Sequence, residues 1–224
     1  MSNNVFVLEG LIGVGKSTLL QQIAARFPCI SIINEPLAEW RSLLEKFYAD
    51  PPSYSYLLQV KILTSFRRTA RDIRRQLRQT SGQIFIVERS PVSATLCFTE
   101  LSRRHNFLSK EQHEELNLFY SDYFTWWENC NFIYLRTLPE RALQHIQQRG
   151  RAEELVGIQL DYLQELHQIH DHVFDHGYAR LTIDDCQTDQ EVSVAEKADL
   201  LINHILSTVV KHRLVDNAEN YDQC

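Results

Sequence analysis

The chain has 224 residues, 44% of them hydrophobic and 23% charged, enough to bury one sizeable core in a single domain. Its formal net charge of −6 argues against a general polyanion-binding surface, because phosphate backbones are drawn to summed positive charge. The five cysteines (Cys29, Cys97, Cys130, Cys186, Cys224) are widely spaced with no C-x-x-C pair, which suggests neither a disulfide framework nor a zinc ribbon and fits a reducing compartment.

The first element is a strand, VFVLE (5–9), apolar almost throughout, as a strand covered on both faces is. No signal-peptide pattern surrounds it and no 18-residue apolar span occurs anywhere, so the expected setting is cytoplasmic, with no membrane and no nucleic acid as partner. GLIGVGKST then puts Gly10, Gly13, Gly15, Lys16 and Ser17 in the G-x-x-x-x-G-K-[ST] spacing, between a strand and a helix-length segment. Glycines let the backbone wrap phosphate oxygens, Lys16 reaches the outer phosphates, and Ser17 can hold Mg2+. Gly10, Gly13, Val14, Gly15, Lys16, Ser17 and Thr18 therefore form the expected site for ATP.

The second strand, CISII (29–33), is followed by Glu35. Ligands of open α/β sheets bind beyond the carboxyl ends of the strands, so Glu35 shares a rim with the phosphate loop. A carboxylate there can take the proton of an attacking hydroxyl; it could equally cap the next helix or pair with an arginine. From Leu58 the series Leu58, Ile62, Phe66, Ile73, Leu77 has helical spacing, and Gln59 lies near the face of Ile62 and Phe66. A buried amide there needs partners, which a nucleobase edge or a neighbouring backbone could supply. The six arginines of RRTARDIRRQLR (67–78) read as the solvated end of this helix.

IFIVE (84–88) is the third strand, and IVERSP ends it with Glu88 and Arg89 on the same rim. Arg89 could orient Glu35 and touch a transferred phosphoryl group, and Glu88 could reach Mg2+; a simple charge pair at a sheet edge is the other reading. The aromatic run NLFYSDYFTWW (117–127) suits a core or dimer-interface helix. FIYLR (132–136) is the fourth strand, and a helix beginning near Pro139 closes on IQQRGRAEE (146–154). Arg149 and Arg151 on that short polar stretch suit a lid over about 147–156 that neutralises a triphosphate. The histidines of HQIHDHVFDH (167–176), His172 and His176 among them, match no zinc signature and are expected at the surface. ARLTI (179–183) is the fifth strand. Helix-length crossovers between all five argue for a parallel sheet with helices on both sides, a three-layer α/β domain over 1–211. The polar tail 212–224 is expected to fray.

Glu35-Pro36 with Trp40, Glu88-Arg89-Ser90, YLRTLPERALQHIQQRGRAEE and YLQELHQIHD, in this order, resemble the deoxynucleoside kinase family, which includes deoxycytidine kinases, mitochondrial thymidine kinases and multisubstrate relatives. The resemblance runs from about residue 5 to about 185. It implies a P-loop kinase fold with a five-stranded parallel core, a homodimer, and transfer of the ATP γ-phosphoryl group to the 5′-hydroxyl of a deoxynucleoside. Carried over by motif, Glu35 matches the base for that hydroxyl, with Arg89 beside it. Tyr48 and Glu154 match the pair on the sugar 3′-hydroxyl, Gln59 the reader of the base edge, and Phe98 the ring stacked on the base. Arg149 and Arg151 fall on the lid arginines, and DDCQTD (184–189), with Asp185 and Gln187, falls where the family's backbone meets the adenine. Ile62 and Phe66 are bulky where they should line the base pocket, and Ala94 is small and neutral where purine-accepting relatives carry an aspartate. A preference for deoxycytidine and thymidine over purines, worth roughly 1–3 kcal/mol, follows as an expectation. Thr95 departs from a common arginine, and Phe66 is larger than usual at its position. The alternatives are a thymidylate kinase, which should carry extra arginines where Leu37, Ala38 and Glu39 stand, and an ATP-binding regulator without catalysis.

Overall fold

The computed structural model describes residues 4–80, 82–187 and 191–221, leaving aside the side chains of 123, 176 and 212–221. Five strands, β1 (Val5–Gly10), β2 (Ile30–Ile33), β3 (Ile84–Glu88), β4 (Asn131–Arg136) and β5 (Ala179–Asp184), make one sheet in the order β2-β3-β1-β4-β5. All four pairings are parallel. The expected strands are all found, each within a residue or so at its ends. β1 lies at the centre because Val5, Phe6, Val7 and Leu8 are apolar on both faces and fully buried, whereas β2 and β5 at the edges keep partly exposed residues.

Helices cover both faces. They are α1 (Lys16–Arg26), α2 (Leu37–Ala49), α3 (Pro51–Gln79), α4 (Pro91–Ser93), α5 (Glu100–Arg104), α6 (Lys110–Tyr123), α7 (Thr125–Glu128), α8 (Pro139–Arg149), α9 (Ala152–Gly157), α10 (Leu160–His170) and α11 (Val194–Tyr221). A π-helical stretch, Ala94–Thr99, joins α4 to α5, and a second, Asp171–Tyr178, extends α10. Such π turns re-aim side chains and often occur at functional sites. Since every strand runs the same way, the ends of β1, β2 and β3 open on one edge, which brings Gly10, Glu35 and Glu88 together.

α3 shows how the sequence sets an element. Asp50 accepts a hydrogen bond from the Ser53 N–H at 3.4 Å, and Pro51 and Pro52 fill first-turn positions that need no donor. Leu58, Leu63, Phe66, Ala70 and Ile73 then form a buried stripe. The six arginines of 67–78 are all exposed, as a solvated helix face requires.

α11 runs to Tyr221 through the segment 212–221, which holds no glycine or proline. One expectation needs correction. The histidines of 167–176 are not uniformly at the surface. His172 is exposed, but His170 is fully buried, its Nδ1–H donating to the Leu166 carbonyl at 2.8 Å while its ring packs beside Phe98 and Tyr134. The side chain of His176 and the whole of Cys224 lie outside the described residues. Cys29, Cys97, Cys130 and Cys186 are free thiols, and no helix among the described residues is long and apolar enough to cross a membrane.

Candidate active site

The phosphate loop leaves β1 and enters α1 through backbone that only glycine tolerates. At Gly13, with φ of 83°, an added Cβ would stand 2.4 Å from the Ala142 carbonyl oxygen, so α8 packs directly against the loop. His145 of α8 strengthens that seam: its Nδ1 lies 2.8 Å from the Gly13 carbonyl, which can only accept, so Nδ1 carries the proton. Lys16 folds back inside the loop, its ammonium donating to the carbonyls of Gly10 at 3.0 Å and Leu11 at 2.9 Å. Burial pushes the Lys16 pKa down to about 7, and the neighbouring Arg89 cation adds to the fall. The Ser17 hydroxyl donates to Glu88 Oε1 at 2.8 Å, which gives two hard oxygen donors side by side at the start of α1.

Arg89 and Glu35 form the rim. Arg89 adopts φ of 64°, unusual for a residue with a side chain and costing on the order of 1–3 kcal/mol. Its N–H donates to the Leu8 carbonyl at 3.0 Å, so β1 holds the turn in place. The guanidinium Nε lies 3.3 Å from Glu35 Oε1, and the guanidinium carbon stands 4.9 Å from the centre of the Phe98 ring. Arg89 Nη1 is buried and makes no hydrogen bond among the described residues. Burial raises the pKa of Glu35 and the Glu88 carboxylate raises it further, while Arg89, Lys16 and Arg151 oppose them. The result is a carboxylate of strengthened basicity held beside a cation.

Sequence reasoning missed what lies beneath. Glu9 at the end of β1 is fully buried, and its Oε1 accepts from the Ser90 hydroxyl at 2.6 Å. Ser90 in turn accepts from the Val92 N–H at 3.1 Å and so caps α4. Burial pushes the Glu9 pKa up to about 7 against the pull of Arg89. A carboxylate inside an otherwise apolar central strand was the available signal.

One cleft of about 660 Å³ runs from the loop past the rim to α2 and α3, within the usual range for small-molecule sites. It brings together Glu35, Trp40, Tyr48, Gln59, Ile62, Phe66, Glu88, Arg89, Ala94, Phe98 and Glu154 with Gly13, Gly15, Lys16, Ser17, Thr18, Arg149 and Arg151. Gln59 is only 3% exposed and its Oε1 is without a hydrogen bond, a strong acceptor held ready at the cleft wall. Phe66 is wedged edge-on between Trp40 and Trp127, with ring centroids 5.9 Å apart on either side. The π turn brings Ala94 and Phe98 into the lining of the same cleft. Tyr162 of α10 also lines the cleft and was not anticipated; burial raises its pKa, as it does that of Tyr48.

The segment expected to act as a lid is a helix–turn–helix. α8 ends at Arg149, Gly150 turns left-handed at φ of 70°, and α9 begins after Arg151. Both arginines are paired with Glu154, Arg149 through Nη2 to Oε2 and Arg151 through Nη1 to Oε1 at 3.0 Å. Four residues assigned to ATP do not line the cleft. Gly10 ends β1, and the Val14 side chain is buried under it. Asp185 is buried in ion pairs with Lys197 at 2.9 Å and Arg141 at 3.2 Å, and it accepts the Val192 N–H at 2.7 Å. Gln187 donates to Asp184 at 3.2 Å. The carboxylate of Asp185 therefore fastens the β5–α11 connection to its surroundings, and Glu191 of that connection lines the cleft.

The family profile of deoxynucleoside kinases matches residues 6–211. Kinase protein 029R of Invertebrate iridescent virus 3 is 34% identical over 162 residues, which cover 72% of this chain and 78% of that protein. Deoxycytidine kinase 2 of Gallus gallus is 28% identical over 193 residues, 73% of this chain and 71% of that one. A deoxyadenosine kinase from M. mycoides, solved with dCMP and dCDP bound, shares the fold with a TM-score of 0.72 at 21% identity, over 91% of this chain and 99% of that one. Match and architecture agree on a P-loop kinase fold, and the chain belongs to the deoxynucleoside kinase family of phosphotransferases.

Proposed function

We propose that the protein transfers the γ-phosphoryl group of ATP to the 5′-hydroxyl of deoxynucleosides, with deoxycytidine and thymidine preferred over purines, in the salvage of DNA precursors. The observation that carries this reading is the Glu35 carboxylate, held 3.3 Å from Arg89 on the rim where the Lys16 loop opens into the acceptor cleft. Glu35 accepts the 5′-hydroxyl proton as the oxygen attacks the γ-phosphorus. The bond from that phosphorus to the β–γ bridging oxygen breaks, and ADP leaves. Lys16, Arg89 and the lid arginines Arg149 and Arg151 face the charge that spreads over the phosphoryl oxygens. The adjacent Ser17 and Glu88 oxygens suit a hard cation of the Mg2+ type. A cation held by Ser17 and Glu88 would supply positive charge to offset that of the triphosphate.

On the acceptor, Tyr48 and Glu154 take the 3′-hydroxyl, Gln59 reads the base edge, and Phe98 stacks on the base. The preference for pyrimidines rests on the bulk of Ile62 and Phe66 in the cleft lining and on the absence of an acidic group at Ala94. A monophosphate acceptor is disfavoured, because Leu37 faces the cleft beside Glu35 where a second phosphate would call for a cation. Free thiols support a reducing, cytoplasmic setting. A homodimer is part of the proposal, with α6, whose Leu118 is exposed, among the surfaces available to it.

The test is incubation with Mg-ATP and deoxycytidine, thymidine, deoxyguanosine or thymidine monophosphate, with product and ADP followed by chromatography. The expected result is pyrimidine nucleoside monophosphates at roughly 10- to 200-fold higher kcat/KM than dGMP. Equal kcat/KM for deoxyguanosine and deoxycytidine removes the pyrimidine preference. Product from thymidine monophosphate alone makes the protein a nucleotide kinase.

A further inference from the structure

The two lid arginines and one carboxylate carry an inference that rests on the proposed kinase reaction and goes beyond it. Arg149 and Arg151 do not stand free to meet a triphosphate. Each guanidinium is bound to a different oxygen of Glu154, and that carboxylate is only 7% exposed, so little water competes for it. The three groups together carry one net positive charge rather than two. Glu154 is itself firmly placed: at the end of the same helix, a Cβ on Gly157 would stand 2.3 Å from the Tyr48 ring, so α9 lies flush on α2. On the other side, Gly150 with φ of 70° joins Arg149 to Arg151 and is open, with nothing within 4 Å of an added Cβ. A fixed carboxylate therefore holds two cations that sit on either side of a pliant glycine.

We propose that Glu154 is a latch that keeps the lid arginines from the triphosphate until an acceptor sugar is bound. A sugar hydroxyl that donates to Glu154 draws on the same carboxylate charge that holds the guanidinium N–H groups, one on each oxygen, and so weakens both bonds. Its arrival loosens one or both arginines, which turn about Gly150 toward the phosphates. Both arginines line the cleft that holds the loop. The acceptor and the donor are then coupled through one carboxylate, and the coupling is reciprocal. The latch also limits waste. Without an acceptor, water could attack the γ-phosphorus, pass its proton to Glu35 and release ADP and phosphate; arginines held on Glu154 do not stabilise that transition state.

The test compares the full-length wild-type protein with Glu154→Gln and Glu154→Asp in Mg-ATP, measuring ADP release without nucleoside, KM for ATP, and the ratio of ADP to nucleoside monophosphate with deoxycytidine present. Glu154→Gln should lower KM for ATP and raise acceptor-free ADP release, each by about 5- to 10-fold, the lower part of the usual range for coupled sites. The ADP to product ratio should rise from near one. Glu154→Asp keeps the charge on a shorter arm and should fall between, which preserves the test if the Gln variant fails to fold. Unchanged KM for ATP and unchanged acceptor-free release in both variants, with only KM for deoxycytidine raised, would make Glu154 a sugar ligand and nothing more. A wild-type protein that phosphorylates no deoxynucleoside overturns the proposed reaction instead. ATP affinity by calorimetry then decides the latch alone: tighter in the variants if it exists, unchanged if it does not.

Discussion

Gly157→Ala probes how closely α9 is fitted to Tyr48, the proposed sugar ligand on α2. The added Cβ would stand 2.3 Å from Tyr48 Cδ1, 2.5 Å from Cγ and 2.6 Å from Cβ, where carbon atoms need about 3.5–4.0 Å. Roughly 1 Å of movement is required, and the contact with Tyr48 Cβ means that rotating the ring cannot supply it. Two effects oppose each other. Replacing glycine at a helix position gains at most about 1 kcal/mol, while overpacking a tight contact costs about 1–3 kcal/mol. Overpacking wins, and a net loss near 1–2 kcal/mol corresponds to a Tm lower by roughly 2–8 °C for a chain of this size. The larger effect is on function, since a displacement of about 1 Å at a positioning residue can cost about 100-fold in rate. Steady-state kinetics should show kcat/KM for deoxycytidine down by about 10- to 100-fold. A variant with wild-type kcat/KM and a raised Tm would refute this reasoning.

Further outcomes follow from the buried carboxylate and the base pocket. Glu9, raised from 4.5 to about 7, binds a proton in the folded state that the unfolded chain has released over that interval. Its stabilising contribution is therefore full below pH 4.5 and lost as pH rises through 7, by about 3 kcal/mol in all at roughly 1.36 kcal/mol per pKa unit. Urea unfolding at pH 5 and pH 7.5 should show this slope in the wild type and a flatter one in Glu9→Gln; parallel slopes would mean that Glu9 is ionised in the fold. Phe66→Leu, which shortens a side chain wedged between two tryptophans, should raise the deoxyguanosine to deoxycytidine ratio of kcat/KM by about 10-fold. An unchanged ratio would remove Phe66 from base selection.

The sheet was readable from the sequence because buried parallel strands are short apolar runs and the crossovers between them are helix-length. The loop Gly10–Ser17, the rim carboxylates and the lid arginines were readable as well, since each follows a strand or ends a helix whose place the sheet fixes. Gln59, Phe98 and Tyr48 came from resemblance, and they meet only because α2, α3 and the π turn at Ala94–Thr99 converge on one cleft. What escaped were relations set by packing. Glu9 looked like one polar residue in a strand, but its bond to Ser90 fixes the turn at Arg89. Asp185 was read only for its backbone, and the ion pairs of its carboxylate with Arg141 and Lys197 were not foreseen. His170 looked like one of a surface set; the π turn after α10 packs it inside. No local spacing encodes a partner 12 or 44 residues away along the chain.

The central claim is that Glu35 removes the acceptor's proton. Glu35→Gln should be compared with the wild type for single-turnover formation of dCMP from Mg-ATP and deoxycytidine, with nucleoside affinity measured in parallel by calorimetry. The account predicts affinity within about threefold and turnover lower by roughly 10²- to 10⁴-fold. Turnover within a few fold of wild type, with affinity unchanged, would contradict it.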